Sequence, residues 1–395
     1  MTMTLSGDGT ITGLAAGGLP NATVTADDLA AGAALNSVSD GVFFRNRIIN
    51  GDMRIDQRNA GASVTVNSSA IVYTVDRFLS AGVTAEGVFT VQQDSSAPTG
   101  FVNSVKITTT TEDTSLTTTQ LYLFQQRIEG FNVADFSWGT ANAKTVTLSF
   151  WVRSSLTGTF GGSLRNGSLN RSYPYTYSIA SADTWEYKTI TIAGDTSGTW
   201  NTDNTAGVIV NWSMGSGPDR SGTAGSWAAA NYTGATGATD VISTLNATWY
   251  ITGVQLEVGS VATPFERRPY GTELALCQRY YWSQWSGNST NSGTGRRFGV
   301  GNVYGGGGGG YIPVFFPTPM RAAPTATFET ATNYMMINAN DSGNPSCSSL
   351  SLVAACTTQA TINATVSSGL VAGNCTALTG ANSSIYPVIQ YSAEL

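Results

Sequence analysis

Histidine is absent from all 395 residues of this chain. Ser-His-Asp and Cys-His catalysis use an imidazole as the general base, so both classes of enzyme are excluded. Glycoside hydrolysis stays open because it needs only two carboxyl groups. The 25 acidic residues are scattered, however, and no pair of them stands in a motif. We therefore expect a protein that is not an enzyme, with a polysaccharide-degrading enzyme as the less favoured alternative.

Charge is scarce as well, since 11% of the residues are charged and the net charge is -6. The 19 basic residues are spread along the chain and form no patch of the kind that nucleic acid or an anionic membrane requires. No run of about 18 apolar residues is present, and the first residues lack the pattern of a signal peptide. We expect no nucleic-acid partner, no membrane insertion and synthesis in a cytoplasm.

Cysteine occurs only at Cys277, Cys347, Cys356 and Cys375. These spacings match no zinc-ligand pattern, so neither a metal nor another cofactor is predicted. Cys347 and Cys356 fit facing strands of a hairpin, yet a disulfide is not expected in a protein assembled in the cytoplasm. We predict four free thiols.

The missing charge is replaced by Thr, Ser, Asn and 45 Gly, a mixture that favours strands joined by turns. We predict an all-β fold in three parts: an extended N-terminal attachment segment (1–40), a jelly-roll sandwich (41–270) and a smaller β-rich domain (271–395). Short strands separated by turn signals recur through the second part. Its candidate strands are IVYTVDRFL, GVFTVQQ, NSVKITTT, QLYLFQQRI, KTVTLSFWV, YSIASADTWEYKTITI, AGVIVNWSM and ATWYITGVQLEV.

Residues 1–40 are nearly all small, and a lone chain of this kind buries too little surface to offset its ordering entropy. Their order would come from neighbouring chains or a docking surface, the alternative being a disordered tail. The second part opens with IINGDMRI, residues 48–55, which predicts two strands joined by a tight turn at Asn50-Gly51.

The end of the second part is marked by a change of hydrophobic period. In TGVQLEV, Val254 and Leu256 alternate with Gln255 and Glu257, which predicts a strand with one buried face and one wet face. After Pro269 the apolar residues fall at helical spacing. Thr272 is the predicted N-cap of a short helix, with Glu273 in its first turn and Leu274, Cys277 and Tyr281 on one stripe.

The motifs NRIINGDMRIDQR and GVQLEVGSVATPFERRPYGTELALCQRYYW resemble tail-fibre and related appendage proteins of tailed bacteriophages. The stretches LSFWVRSS, DTWEYKTITI and WYITGVQLEVG, preceded by IINGDM, are similar to jelly-roll carbohydrate-binding modules. The resemblance implies a homotrimeric virion protein that attaches to other tail or capsid proteins through residues 1–40 and contacts host cell-surface polysaccharide. A fibre, spike or tail protein without a receptor role is the alternative.

Carbohydrate-binding modules of this kind often hold a structural calcium ion near the ends of their first and last strands. This sequence has Arg54, Thr252 and Gly253 at the places of the usual acidic ligands. Asp52 and Glu257 are the remaining oxygen donors nearby, and no metal is predicted.

Sugar recognition needs aromatic faces beside groups that hydrogen-bond to ring hydroxyls. In KTVTLSFWVRSS, alternate residues from Val146 to Val152 form the inward set, which puts Trp151 and Arg153 on the other face as candidate ligand contacts. The alternative is that a loop, a second sheet or another subunit covers that face.

Five further aromatic residues are candidate ligand contacts. Trp200, Trp212 and Trp227 lie in Asn-, Gly- and Ser-rich surroundings that predict exposed loops, although a Trp that fixes a long loop is the commoner case. Tyr304 and Tyr311 flank six glycines, Gly305–Gly310. With so much backbone freedom this run is not expected to form a normal strand. It is either a flexible loop or a recognition loop whose two tyrosines contact a partner.

Overall fold

The structure, a computed structural model, describes residues 4–5, 11–12, 44–68, 71–83, 86–285, 297–338, 344–381 and 387–395. The chain divides into two compact units, Met1–Arg45 and Asn46–Leu395. In the first unit, β1 (Thr4–Leu5) pairs with β2 (Ile11–Thr12) in an antiparallel arrangement. The rest of the predicted attachment segment lies outside the described residues.

The predicted all-β fold and jelly-roll sandwich are confirmed, since two six-stranded antiparallel sheets enclose one hydrophobic core. Sheet A has the strand order β11-β10-β13-β8-β5-β4, and sheet B has the order β12-β9-β16-β7-β6-β3. In chain order the strands are β3 (Val64–Val66), β4 (Ile71–Tyr73), β5 (Phe78–Val83), β6 (Val88–Asp94), β7 (Ser104–Thr111), β8 (Leu121–Glu129), β9 (Val146–Ser154), β10 (Gly158–Asn166), β11 (Ser172–Ile179), β12 (Glu186–Ile192), β13 (Ala206–Ser216) and β16 (Thr248–Val258). A short parallel pair, β14 (Ser221–Gly222) and β15 (Gly234–Ala235), lies in the connection between β13 and β16.

The core of the sandwich follows from side-chain alternation along the strands. The predicted inward set of β9, from Val146 to Val152, is fully buried. Facing aromatic residues fill the space between the sheets, and the ring of Phe124 lies 6.0 Å from both Trp212 and Trp249. Burial of each large apolar side chain contributes about 1.5–3 kcal/mol, so this aromatic layer is a main source of the stability of the sandwich.

Strand β16 changes its inward-facing parity at a bulge. Trp249 and Ile251 point into the core before the bulge, and Val254 and Leu256 do so after it. Pairing with β9 shifts by one residue between Thr252 and Gln255. Gly253 has φ +62°, and a Cβ there would lie 2.7 Å from the ring of Phe101. Only glycine therefore fits this turn of the strand without displacing its neighbour.

The predicted wet face of β16 is wrong, because Gln255 and Glu257 are buried. The chain after β16 folds back over this face. Glu257 accepts hydrogen bonds from the Thr263 backbone N–H and hydroxyl at 2.8 and 2.6 Å, and Gln255 Oε1 accepts one from the Glu266 N–H at 2.8 Å. These bonds replace those that water would provide to the buried polar groups.

The segment 48–55 forms the predicted turn but not the two strands expected beside it. Asn50 has φ +59°, and its carbonyl accepts the Met53 N–H at 3.0 Å. The Asn50 amide donates to the carbonyls of Ile55 and Asp76 at 2.8 and 3.0 Å. Asn tolerates the left-handed region because its short side chain bonds locally, so the side chain replaces ladder hydrogen bonds here.

A helix, α1 (Tyr270–Gln278), joins the sandwich to the C-terminal part. It begins two residues before the predicted N-cap, so Thr272 lies in its first turn rather than at its cap. Glu273 accepts a 2.5 Å hydrogen bond from the Asn50 N–H, and Cys277 is fully buried. The predicted stripe ends there because Tyr281 belongs to the next strand. Among the residues that the structure describes, no helix is long and apolar enough to cross a membrane.

The C-terminal part contains two antiparallel sheets around a second core. Sheet C has the order β21-β24-β18-β19-β23-β22, and sheet D has the order β17-β25-β20. The strands are β17 (Tyr281–Trp285), β18 (Gly299–Val303), β19 (Gly309–Phe315), β20 (Thr325–Phe328), β21 (Tyr334–Asn338), β22 (Cys347–Ala355), β23 (Gln359–Val366), β24 (Cys375–Gly380) and β25 (Val388–Ser392). Short 3-10 helices span Gly130–Asn132, Ala134–Phe136, Pro218–Arg220, Val241–Ser243 and Ala331–Asn333.

Two features of this part differ from or refine the prediction. Gly309 and Gly310 are paired residues of β19, so the expectation that the glycine run forms no strand is wrong for these two. The four cysteines are free thiols. Cys347 begins β22 and Cys356 follows its end, which places them about 30 Å apart at 3.3 Å per residue and excludes a bond between them across a hairpin.

Ion pairs and hydrogen bonds fasten the last residues to the sandwich. The Glu394 carboxylate pairs with the guanidinium of Arg77 and with Arg58 Nη2, the latter at 2.9 Å. Arg127 Nη1 donates to the Leu395 carbonyl oxygen at 2.7 Å. Arg77 is almost fully buried, so this contact places a charged pair between the two cores.

Candidate functional site

The structure places the predicted ligand contacts in three exposed regions and one core position. Trp212 is the core position, because it lies on β13 between the sheets and is 0% exposed. The prediction that it belongs to an exposed loop is therefore wrong. Its indole packs against Phe124 and Phe150, with ring centroids 6.0 and 5.7 Å away, so Trp212 cannot reach a ligand.

Trp151 and Arg153 lie on the outer face of sheet B, as predicted from the alternation of β9. The Trp151 ring lies 5.4 Å from that of Tyr187, its partner on β12. Arg153 stacks over Tyr250 at 5.0 Å and pairs with Asp183 at 3.2 Å. Arg153 therefore already has an aromatic and an anionic partner, and the ligand role of the pair stays a prediction.

Trp200 and Trp227 come together in loops at one end of the sandwich, where they contact a third indole, Trp138. The ring centroids lie 4.7 Å apart for Trp138–Trp200, 5.2 Å for Trp138–Trp227 and 5.3 Å for Trp200–Trp227. Each indole N–H donates to a loop carbonyl: Trp138 to that of Lys144, Trp200 to that of Ser197 and Trp227 to that of Ala193. The cluster thus fixes the loops to one another, which is the structural role anticipated for Trp residues here.

One side of this cluster also borders a cleft of about 380 Å³. Trp200 and Phe136 provide aromatic lining, and the polar lining includes Asn142, Asn201 and Thr140. The Asn201 amide bonds to the Thr205 hydroxyl at 2.9 Å, so its orientation is set by the loop. Burial raises the pKa of Tyr173, whose ring lies 5.2 Å from Trp227 behind the cleft.

Tyr304 and Tyr311 form the second cleft, on the outer face of sheet C. The six glycines bring the two rings together, because the chain turns through Gly305–Gly308 and re-enters the sheet at Gly309. The ring centroids are 5.2 Å apart at an interplanar angle of 44°. The rings border a cleft of about 430 Å³, which is also lined by Val300, Asn302, Val303, Gly301, Pro313 and Cys375.

The glycines have a specific steric role in this cleft. A Cβ on Gly309, which has φ +159°, would lie 2.5 Å from the Tyr304 hydroxyl and 2.4 Å from the Ala364 carbonyl oxygen. A side chain would push Tyr304 away from the strand. The glycine at this position therefore allows the Tyr304 ring to lie close to the backbone beside Tyr311.

Amide side chains flank Tyr311 on both neighbouring strands. Asn302 of β18 and Asn363 of β23 are its direct partners in the sheet, so the three side chains stand in one row on the same face. Asn363 Oδ1 is buried and has no hydrogen-bond partner among the described residues. The Cys375 thiol lies 4.0 Å from Asn302 Oδ1 at the edge of the row.

We call the Tyr304–Tyr311 cleft with Asn302 the distal cleft. It combines a partly exposed aromatic face, with Tyr311 47% exposed, and an amide that can accept from and donate to hydroxyl groups. This is the chemistry that stacks on a pyranose ring and orients it. Sequence reasoning found both tyrosines through the glycine run but missed that Asn363 stands beside Tyr311, because β23 follows some fifty residues later and its register is not readable locally.

Among the described residues, no group of three or more acidic or cysteine side chains is placed to hold a metal ion. Of the two oxygen donors considered for calcium, Asp52 pairs with Arg54 and Glu257 bonds to Thr263. Both carboxylates thus have protein partners in this structure.

No family model matches this chain, and no curated protein matches it. Solved structures that are similar to it include a family 11 carbohydrate-binding module from Clostridium thermocellum in complex with a β-1,3-1,4-mixed-linked tetrasaccharide. The identity is 14% and the TM-score 0.26, over 49% of this chain and 96% of that chain. A second is a putative sugar binding protein from Bacteroides thetaiotaomicron, with 12% identity and a TM-score of 0.31 over 54% and 100% of the two chains.

A third similar structure is TmCBM61 in complex with β-1,4-galactotriose, with 9% identity and a TM-score of 0.26 over 54% of this chain and 99% of that chain. Likenesses of this size carry no argument about the ligand of the present chain. Its two-sheet architecture is established by its own strand pairing, and its candidate sites by its own side chains.

Proposed function

We propose that this chain is a glycan-binding fibre or appendage protein of a tailed bacteriophage, and that its distal cleft contacts host cell-surface polysaccharide. The observation that carries the proposal is the row of Asn302 and Tyr311, with Tyr304 beside it. Stacking on Tyr311 provides the apolar contact, and the Asn302 amide, which lines the cleft, bonds to the ring hydroxyls. Asn363 extends the row on the other side of Tyr311, but its Oδ1 is buried and it does not line the cleft, so Asn302 is the amide placed to contact a ligand.

The linings of the clefts support binding rather than hydrolysis. Neither the distal cleft nor the Trp200 cleft is lined by an aspartate or a glutamate. Glycoside hydrolysis ordinarily requires two carboxyl groups on either side of the scissile bond. A protein without such a pair at its sugar-sized clefts is better suited to hold a polysaccharide than to cleave it.

The placement in a virion rests on the resemblance of the motifs at residues 46–58 and 253–282 to phage appendage proteins. In this chain those motifs build the connection between sandwich and distal sheets, through buried residues such as Glu273 and Tyr280. We propose that residues 1–40 attach the chain to tail or capsid proteins and align three copies. Three weak sites on one particle would gain strength through multivalency.

The proposal is tested by measuring adsorption to host cells and binding to a glycan array with multivalently displayed protein. Tyr311→Ala should weaken binding at least about tenfold, since it removes the stacking face. Phe315→Ala is the matched control, because Phe315 lies on the same strand, is 69% exposed and does not line the cleft. Equal binding by Tyr311→Ala and the unaltered protein would overturn the role of the distal cleft.

A chemical test uses the cleft's own thiol. In a Cys356→Ser background, Cys375 is the one exposed cysteine, since Cys277 and Cys347 are buried. A bound glycan should slow its reaction with a maleimide. Unchanged labelling in the presence of a saturating glycan would place the glycan elsewhere. Sedimentation tests the proposed trimer, and a monomer at micromolar concentration would contradict it.

A further inference from the structure

A cavity of about 460 Å³ lies between sheet D and the loop that follows the Asn50 turn. Side chains alternate along the two strands that form its wall. Trp282 and Tyr391 face the second core, whereas Ser283 and Gln390 face the cavity. These last two are direct partners across β17 and β25. The cavity therefore uses the second face of sheet D, which the core does not cover.

One end of this cavity is closed by Arg58, which makes aromatic and ionic contacts. The Arg58 guanidinium lies 3.5 Å from the ring centroid of Tyr281 and 4.9 Å from that of Tyr73. It also pairs with Glu394 at 2.9 Å. Arg58 is thus held in place by three partners, and Glu394, which also pairs with Arg77, compensates part of its charge.

Trp285 forms the open side of the cavity. It ends β17 and is 58% exposed, in contrast to Tyr281, which is buried at the start of the same strand. Leaving apolar surface such as an indole in water is unfavourable by about 25 cal/mol for each Å². The exposed part of the indole lies beside the cavity and can contact a sugar ring there.

The remaining lining is rich in amides. Gln57 and Asn59 point their amide nitrogens at protein acceptors, since Gln57 Nε2 donates to the Tyr281 carbonyl at 3.1 Å and Asn59 Nδ2 donates to the Thr74 carbonyl. Both amide groups are therefore oriented by the fold. The Gln390 side chain makes no hydrogen bond with another residue of the described part of the chain, so both ends of its amide are available to a ligand.

Charge in the cavity selects the ligand class. Arg58 shares the Glu394 carboxylate with Arg77, so its positive charge is only partly compensated, and the Glu329 carboxylate is the lining group of opposite sign. The cavity therefore presents both signs of charge, which favours a ligand without net charge. Glu329 accepts hydrogen bonds from the Val388 N–H and the Asn333 amide, both at 3.2 Å. A carboxylate accepts bonds from hydroxyl groups and repels other anions.

We propose that this junction cavity is a second saccharide subsite, selective for neutral sugars, in which Trp285 stacks on the ring while Gln390 and Glu329 bond to its hydroxyls. The inference takes the saccharide class from the proposed function but does not depend on the distal cleft. The subsite sits where the sandwich and sheet D meet, so it would engage the same polysaccharide at a different point from Tyr311.

The test is a calorimetric titration with methyl glycosides of glucose, galactose, mannose and N-acetylglucosamine, and with galacturonate as the acidic probe. Tyr311→Ala should retain one site for a neutral sugar. In that background Trp285→Ala should weaken the remaining site at least about tenfold, and Gln390→Ala should weaken it severalfold. Phe131→Ala is the control, because Phe131 is 61% exposed and lies outside the cavity.

Glu329→Gln supplies a readout that a change in packing would not give. The proposal predicts that this variant narrows the preference for neutral sugars over galacturonate. If Trp285→Ala leaves binding unchanged while Tyr311→Ala abolishes it, the subsite is refuted and the distal cleft is supported. The reverse pattern supports the subsite and refutes the distal cleft. Absence of binding by every neutral probe refutes both, and thermal unfolding of each variant separates lost binding from lost folding.

Discussion

Replacing Glu394 by glutamine should weaken the attachment of the distal sheets to the sandwich. Glu394 pairs with two arginines of the sandwich, Arg58 and Arg77. Arg77 is almost fully buried, its guanidinium lies 3.5 Å from the ring centroid of Tyr280, and Nη2 donates to the Arg127 carbonyl at 2.6 Å. Burial is the largest single influence and lowers the pKa of Arg77, but the Glu394 carboxylate together with Tyr280, Tyr73 and Cys277 raises it by more, so the net change is upward.

The magnitude follows from what the substitution leaves behind. Glutamine keeps the size of the side chain but removes the negative charge, so Arg77 stays cationic in a site that excludes water. Removing one partner of a buried ion pair typically costs about 3–5 kcal/mol. The amide oxygen of glutamine can still accept a hydrogen bond from an arginine N–H, which places the expectation at the lower end, about 3 kcal/mol.

Urea unfolding followed by tryptophan fluorescence measures this loss, and limited proteolysis between residues 258 and 281 tests whether the two parts separate first. Asp135→Asn is the control, since the Arg47–Asp135 pair is half exposed on its acidic side and should contribute no more than about 1 kcal/mol. A loss below about 1 kcal/mol for Glu394→Gln would refute the argument that Arg77 depends on this carboxylate.

Three further predictions follow from individual residues. Burial raises the pKa of Asp76 to about 7, above an unfolded value of about 3.9. The stabilising contribution of the Asp76 carboxyl group is therefore full below about pH 4 and is lost as the pH rises toward 7. Asp76→Asn should flatten this fall in the free energy of unfolding, which urea titrations measure across the same pH range. Trp212→Ala should cost about 3–5 kcal/mol in thermal or urea unfolding, whereas Trp200→Ala should cost clearly less. Burial lowers the pKa of Arg165 to about 9, with Arg127 and Arg220 adding repulsion, but its guanidinium donates to the buried Gln125 Oε1 at 2.6 Å. Arg165→Met leaves that oxygen without this donor and should cost about 1–3 kcal/mol in the same assay.

Much of the sandwich could be predicted because its information is local. Alternation identified the inward residues of β9 and placed Trp151 on the opposite face. The same rule applied to AGVIVNWSM would have put Trp212 in line with Val208 and Val210, which are core residues. The polar residues next to Trp212 in the sequence favour an exposed loop, whereas the alternation of the strand favours the core, and the prediction of a loop was wrong. β10 was missed because its glycines, Gly161 and Gly162, weaken the strand signal.

The parts that sequence could not provide depend on distant segments. Gln255 and Glu257 alternate like solvent-facing residues, and only the fold-back of residues 259–268 buries them. Asn363 stands beside Tyr311 through a strand register set by the whole of sheet C. Trp285 was not singled out because its cavity requires a loop from the sandwich, around Arg58, more than two hundred residues earlier.

The bulge at Gly253 links the number of residues in β16 to the direction in which its side chains point. The distance along the chain from Trp249 to Leu256 contains one residue more than a regular strand would need, and that residue keeps both halves of β16 facing the core. If β16 ran as a regular strand with the same number of residues, Val254 and Leu256 would turn outward and Gln255 would turn inward, so the bulge is what allows these residues to face the core. Deleting Gly253 would instead give a regular strand in which the same four residues still face the core, so sequences that share this closing strand are expected either to keep glycine at the bulge or to lack the extra residue.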